Sequence, residues 1–336
     1  MSTNKETEQT TGTSSAPTAP PAKRQKTGAF LSSSSTAAAP IFSTTRNINK
    51  VPVEVWKEHI CQKFLNLTEL SILRRCHTFF EKYWQNVMAQ NVIRVPQGCS
   101  TMNKAMDLAV IFSERKEYTK AGPLKIKVEK GVHKTVGFQG RMFVTCSHIT
   151  FVGKGKNQTT IQGGFWVNAQ QNVKFEELTL TNPYGVGLCL SGSETTVDVL
   201  KCIIKECEDT GMDVRGGAIV TATQCEFVAN ANYGVFCSEA NSKVRLNDST
   251  SHHNKWDGLV VTDAIVDLHG TKTDIHSHKG NGIYASGCAK VNIHLPSQHN
   301  TTHDNRKNRV QCGDASIANI NTDGTFTHVA AAAAEE

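Results

Sequence analysis

Five short stretches constrain the fold of this chain more than anything else in it. Gly187-Leu-Cys-Leu, Gly211-Met-Asp-Val, Gly234-Val-Phe-Cys, Gly258-Leu-Val-Val and Gly282-Ile-Tyr-Ala follow one another at intervals of 24, 23, 24 and 24 residues. Four positions before each glycine stand Pro183, Cys207, Asn230, Asn254 and His278, and Asn305 extends that column with Arg309 in the glycine position. A second register runs Val173-x-Phe175, Val197-x-Val199, Val220-x-Ala222, Val244-x-Leu246, Val266-x-Leu268 and Val291-x-Ile293. Five residues after its first member come Leu178, Cys202, Cys225, Ser249, Thr271 and Pro296. Strands this short cannot bury a face alone. A constant period near 24 makes each one a rung that stacks on its equivalent in the next repeat.

The repeat predicts a mainly β chain, a right-handed parallel β-helix with coils of about 24 residues. Alternation along a strand places Leu188, Met212, Val235, Leu259 and Ile283 in one inward stack. Leu190, Val214, Cys237, Val261 and Ala285 form the stack beside it. The glycines are expected at a sharp corner or a positive φ, and the asparagines in an amide ladder along the axis. The outward column lies two residues past each glycine: Cys189, Asp213, Phe236, Val260, Tyr284 and Gln311. Phe236, Val260 and Tyr284 would stand side by side on the surface. An apolar patch of that kind suits a partner protein.

Ahead of the repeats the composition changes twice. Residues 1–47 are Ser, Thr, Ala and Pro with few apolar side chains, the composition of a disordered tail. That tail carries Lys23, Arg24 and Lys26 after two prolines, a short basic cluster of the nuclear-import kind. Residues 48–95 have helical periodicity, and "STMNKAMDLAVIFSER" reads as one amphipathic helix with Ser100 or Thr101 as its N-cap. That helix is expected to cap the first coil of a β-helix spanning 96–325, with an Ala-rich tail at 326–336.

Two resemblances follow from these residues. "VPVEVWKEHICQKF-LNLTELSILRRCHTFFEKYW" resembles the F-box motif, although Val51 stands where that family has leucine. The resemblance implies that Pro52, Val55, Ile60, Leu70, Leu73 and Trp84 dock a Skp-family adaptor and, through it, a cullin complex. "HITFVGKGKNQTTIQGGFWVNAQQNVKFEELTLTN" and the coils after it resemble the pectate-lyase-like superfamily over roughly residues 100–325. Enzymes of that group carry paired carboxylates, calcium-binding clusters or signature tripeptides. The polygalacturonase, pectate-lyase and pectin-esterase signatures are missing from this sequence. Asp213 stands alone in its column, and Asp198 and Asp267 share a column three coils apart.

The functional expectation is a non-catalytic substrate-recognition subunit of an SCF-type (cullin–RING) ubiquitin ligase. Its F-box would hold the adaptor and its β-helix a protein substrate. The alternatives are a carbohydrate-active β-helix protein and a scaffold without a ligase link. No cofactor and no metal are expected, because no carboxylate or cysteine spacing completes a site around His252, His253, His276, His278, His299 and His303, all read as loop residues. The net charge of +6 is too mild to imply nucleic acid, and no apolar run reaches membrane-spanning length. Eleven cysteines without CxxC spacing read as reduced, packed thiols of an intracellular, nuclear or nucleocytoplasmic protein.

Overall fold

The repeat is three strands long. The computed structural model describes residues 89–294 and 301–328 and stacks these strands into three sheets, parallel except for the last strand, in a β-helix of about eight coils. Sheet 1 has eleven strands, among them Thr196–Leu200, Ile219–Thr223, Lys243–Asn247, Ile265–His269 and Lys290–His294. Sheet 2 has eight short strands, including Glu226–Val228, Thr250–His252, Asp274–His276 and Thr302–His303. Sheet 3 also has eight, including Leu188–Ser191, Met212–Arg215, Val235–Ser238, Leu259–Thr262, Asn281–Ser286 and Lys307–Gln311.

The pairing follows the columns of the sequence. Leu188, Met212, Val235, Leu259 and Ile283 are successive partners. Both inward stacks are fully buried. Each aliphatic side chain buried this way contributes roughly 1.5–3 kcal/mol. Phe151, Phe165 and Phe175 pack together in the early coils, with ring centroids 4.8–5.2 Å apart.

The amide ladder is continuous. Cys207 N–H donates to Asn230 Oδ1 (3.1 Å), Asn230 N–H to Asn254 Oδ1 (2.9 Å), Asn254 N–H to His278 Nδ1 (3.2 Å) and His278 N–H to Asn305 Oδ1 (3.0 Å). The side-chain amides reach back to carbonyls of Ile204, Phe227 and Ile275. The corner backbone is thereby satisfied without water, as buried polar groups require.

The register slips where the period does. Glu208 N–H bonds to the Asn182 carbonyl, as Ala231 does to Cys207, so Asn182 and not Pro183 occupies the ladder. Asp274 N–H bonds to the Ser249 carbonyl, which puts Thr273 rather than Thr271 beside Ser249. In the last coil Tyr284 pairs with Val310, so Val310 replaces Gln311 in the outward column. Pro296 lies outside the described residues.

The repeating glycines serve close approach, not a positive φ. A Cβ on Gly234 would stand 2.1 Å from Ser251 Oγ and 2.7 Å from the Gly258 carbonyl; one on Gly258 would stand 2.3 Å from His278 Nε2. The left-handed corners fall on other residues. Glu177, Lys201, Gln224 and Asp248 turn the chain from sheet 1 to sheet 2, and Glu206, Ala229, His253, Ser277 and Asp304 turn it toward sheet 3. Each costs about 1–2 kcal/mol, and the neighbouring coils hold it in place.

The two ends differ. Helix α1 (Met102–Ser113) starts at Thr101, whose hydroxyl accepts from Lys104 N–H at 3.2 Å. It buries Met102, Ala105, Met106, Leu108, Ala109 and Phe112 along one side, as an amphipathic helix does. Val92–Val95 is already a strand of sheet 1, paired with Leu124–Val128, and not the end of a helical segment. At the other end Phe326–His328 folds back antiparallel on Ser316–Ile320, which carries the sheet past residue 325. All nine cysteines among the described residues are free. Burial pushes the Cys99, Cys207 and Cys237 thiols up to about 12, the behaviour of packed hydrophobes.

Candidate binding face

Outward positions on a parallel sheet stand about 4.8 Å apart, coil over coil. On sheet 3 this column runs Phe143, Trp166, Cys189, Asp213, Phe236, Val260, Tyr284, Val310. Seven of its eight members carry no charge. The expected neighbours Phe236, Val260 and Tyr284 are adjacent, but Val260 is buried, with only 6% of its surface exposed. Phe236 and Tyr284 are half-buried, and Phe236 also stacks on Tyr233 (5.9 Å, 19°).

The turns that lead into sheet 3 add a rim. Tyr184 is 68% exposed and Trp256 61%. The column continues through the earlier coils with Phe143, 48% exposed, stacked on Trp166 at 5.0 Å. The column expected from the repeat starts at Cys189, two residues past Gly187. Gly164 lies 23 residues earlier, and the same step of two from it reaches Trp166.

Two guanidinium groups lie on this stripe. Arg215 stands over the Phe236 ring at 5.0 Å and donates from Nε to Asp213 Oδ1 at 2.7 Å. Asp213 is therefore not a solvated residue: it is 6% exposed and ion-paired. Burial lifts its carboxyl above the usual carboxylate range, while Arg215 pulls the other way. Arg141 is buried beside Trp166, 5.3 Å from the ring centroid, and donates to Gln139. Its Nε, also buried, has no hydrogen-bond partner. Aromatic faces with a cation above them suit ligands that offer both apolar surface and negative charge.

The carboxylates of sheet 1 do not meet. Thr221 and Arg245 separate Asp198 from Asp267 in their column. The histidines behave otherwise than expected. His252, His276 and His303 sit on strands of sheet 2, not in loops, and stack as a ladder with centroids 5.1 and 4.9 Å apart. Carboxylates do reach them: Glu226 lies 3.1 Å from His252, and Asp274 and Asp304 flank His303. Asp304 raises the His303 pKa, whereas burial lowers that of His276. His278 belongs to the amide ladder, as read from the sequence. His299, the basic cluster Lys23, Arg24 and Lys26, and the F-box-like positions Pro52, Val55, Ile60, Leu70, Leu73 and Trp84 lie outside the described residues.

Residues 151–295 match the family model described as the right handed beta helix region. No curated protein matches the chain by sequence. Among solved structures, ORF18 of Geobacillus virus E2 is 9% identical, with 74% of this chain and 64% of that one covered and a TM-score of 0.44. The chain thus spans less than two thirds of that viral protein. The A-module of the Azotobacter vinelandii mannuronan C-5 epimerase AlgE6 is 13% identical (68% and 79% covered, TM-score 0.38). A thermostable pectate lyase, PL 47, is 8% identical (71% and 82% covered, TM-score 0.31).

Proposed function

We propose that the chain is a non-catalytic recognition subunit of an SCF-type ubiquitin ligase. The outward face of sheet 3 takes a protein substrate, and the F-box-like segment that carries Pro52 to Trp84 holds a Skp-family adaptor. The observation that carries the binding half is the pair of half-buried aromatics Phe236 and Tyr284 in an almost uncharged outward column, with Trp256 exposed on a turn that leads into the same sheet. Partly exposed aromatic side chains are the residues that most often anchor a protein interface. The adaptor half rests on the sequence resemblance, and the basic cluster would give the complex access to the nucleus. Asp213, the one carboxylate in the column, is committed to Arg215, which supports binding rather than proton transfer.

Replacing Phe236 and Tyr284 together by Asp tests this reading, because both side chains point outward. The variant should keep the circular dichroism and melting temperature of the wild type. Its capture of substrate proteins from extract, read by quantitative mass spectrometry, should fall about 10-fold to 100-fold, the effect of losing 1.4 to 3 kcal/mol at interface anchors. Unchanged capture would refute the face, and an unfolded variant would refute the register.

One observation favours a second reading, a carbohydrate-binding or carbohydrate-active role. The Phe143–Trp166 stack beside the unpartnered Nε of Arg141 suits a sugar ring carrying a carboxylate. Titration with acidic oligosaccharides separates the two readings. Binding that Trp166→Ala abolishes and the Phe236/Tyr284 variant retains would support the second.

A further inference from the structure

We propose that Asp267, His269 and His294, on the outer face of sheet 1, form a binding site for one divalent transition-metal ion of the zinc class. Asp267 and His269 are two residues apart on the strand Ile265–His269, so they share its outward side. Lys290–His294 is the next strand. It pairs Asp267 with Asn292 and Leu268 with Ile293, which brings His294 alongside His269. The two imidazoles stack with centroids 3.9 Å apart and planes 12° from parallel. One ligand atom from each of the three residues lies within 4.8 Å of the others.

A second, independent observation points to an occupant. His269 Nε2 is buried and has no hydrogen-bond partner. A buried polar atom left unpaired costs about 1–3 kcal/mol, so native structures seldom keep one without a use. A neutral imidazole nitrogen with a free lone pair is a metal donor.

The other two donors are pre-aimed. His294 Nε2 lies 3.1 Å from Asp267 Oδ1, and Asn292 Nδ2 donates to the same oxygen at 2.9 Å. Two nitrogens and a carboxylate oxygen are a zinc donor set, with a water as the fourth ligand. Zinc–ligand bonds near 2.0–2.2 Å require donors about 3.3 Å apart, so the rings must shift by roughly 1 Å and the ion replaces the His294–Asp267 contact. Asp267 and His294 side chains are each 31% exposed, which leaves an entry path. Arg245 is the Asp267 partner on the other side and opposes a cation. The carboxylate between them offsets it. The sheet 2 ladder is a less suitable site, because among the described residues none of its imidazole nitrogens is buried without a hydrogen-bond partner.

The test is calorimetric titration of the full chain with Zn²⁺ after chelator treatment, and visible absorption with Co²⁺. We expect one ion per chain and a tetrahedral Co²⁺ spectrum. His269→Gln and His294→Gln should each abolish both, and Asn292→Ala, which removes an outer-sphere bond, should weaken binding 10-fold to 100-fold. His276→Gln, on the ladder, should bind as the wild type does. Circular dichroism checks each variant, and Asp267→Asn replaces any that fails to fold. Absence of binding by the wild type, undiminished binding by His269→Gln, or loss of binding in His276→Gln would overturn the site.

Discussion

Replacing Leu259 by Asp is expected to unfold the β-helix. Leu259 is fully buried between Val235 and Ile283 in the inward stack of sheet 3. The substitution removes roughly 2–3 kcal/mol of apolar burial. It also forces a carboxyl group into a space with no polar partner, at a cost of several kcal/mol more. The sum is comparable with the whole stability of an ordinary domain, 5–15 kcal/mol. A solenoid makes the loss worse, because each coil touches only its neighbours and a failed coil disconnects the two sides. Expression, circular dichroism and melting would show an insoluble or non-cooperative protein. The same charge at Phe236 should be tolerated. A stable, soluble Leu259→Asp protein would mean that inward and outward are exchanged.

The second large effect is a loss of stability in acid that one histidine controls. His278 is 4% exposed. Its Nδ1 accepts from Asn254 N–H, so Nε2 carries the proton and donates to the Ser251 carbonyl. Protonating Nδ1 would break the ladder, and burial lowers the pKa from 6.5 to about 4. The folded pKa is depressed, so the stabilisation is complete above the unfolded value. As pH falls from 6.5 toward 4 the unfolded chain takes up a proton that the folded chain refuses, and below 4 the loss levels off. The difference corresponds to about 3 kcal/mol. His278→Asn keeps the ladder with a group that does not titrate. Urea unfolding of both proteins at neutral pH and at pH near 4.5 should show the wild type losing more stability than the variant. Parallel losses would remove His278 from the account, since all other titrating groups are common to both.

The parts of the fold legible in the sequence are those the period repeats. The inward stacks and the central asparagines recur at one spacing, and each lies where that spacing puts it. Errors gather where a coil gains or loses a residue, as at Asn182, Thr273 and Val310. The glycine column was read for the wrong physical reason, because a close contact with the next coil leaves no mark in a single repeat. Trp166 was within reach of the same rule one coil earlier. Arg141 and Arg215 were not, since their positions do not repeat. The Asp267–His269–His294 cluster joins residues 25 and 27 apart, and only strand pairing makes that spacing meaningful. The sheet 2 ladder was missed for a related reason: histidines read as loop residues have no register, whereas on strands they acquire one.

The central proposal, a recognition subunit that joins a substrate to a ligase, is tested most directly at its other end. The measurement is a pull-down of the purified full chain with the Skp-family adaptor of its own organism, beside a variant with Pro52 and Leu73 both changed to Ala. The wild type is expected to bind the adaptor and the variant, with an unchanged β-helix melting profile, is not. A well-folded wild-type chain that leaves the adaptor in solution would contradict it.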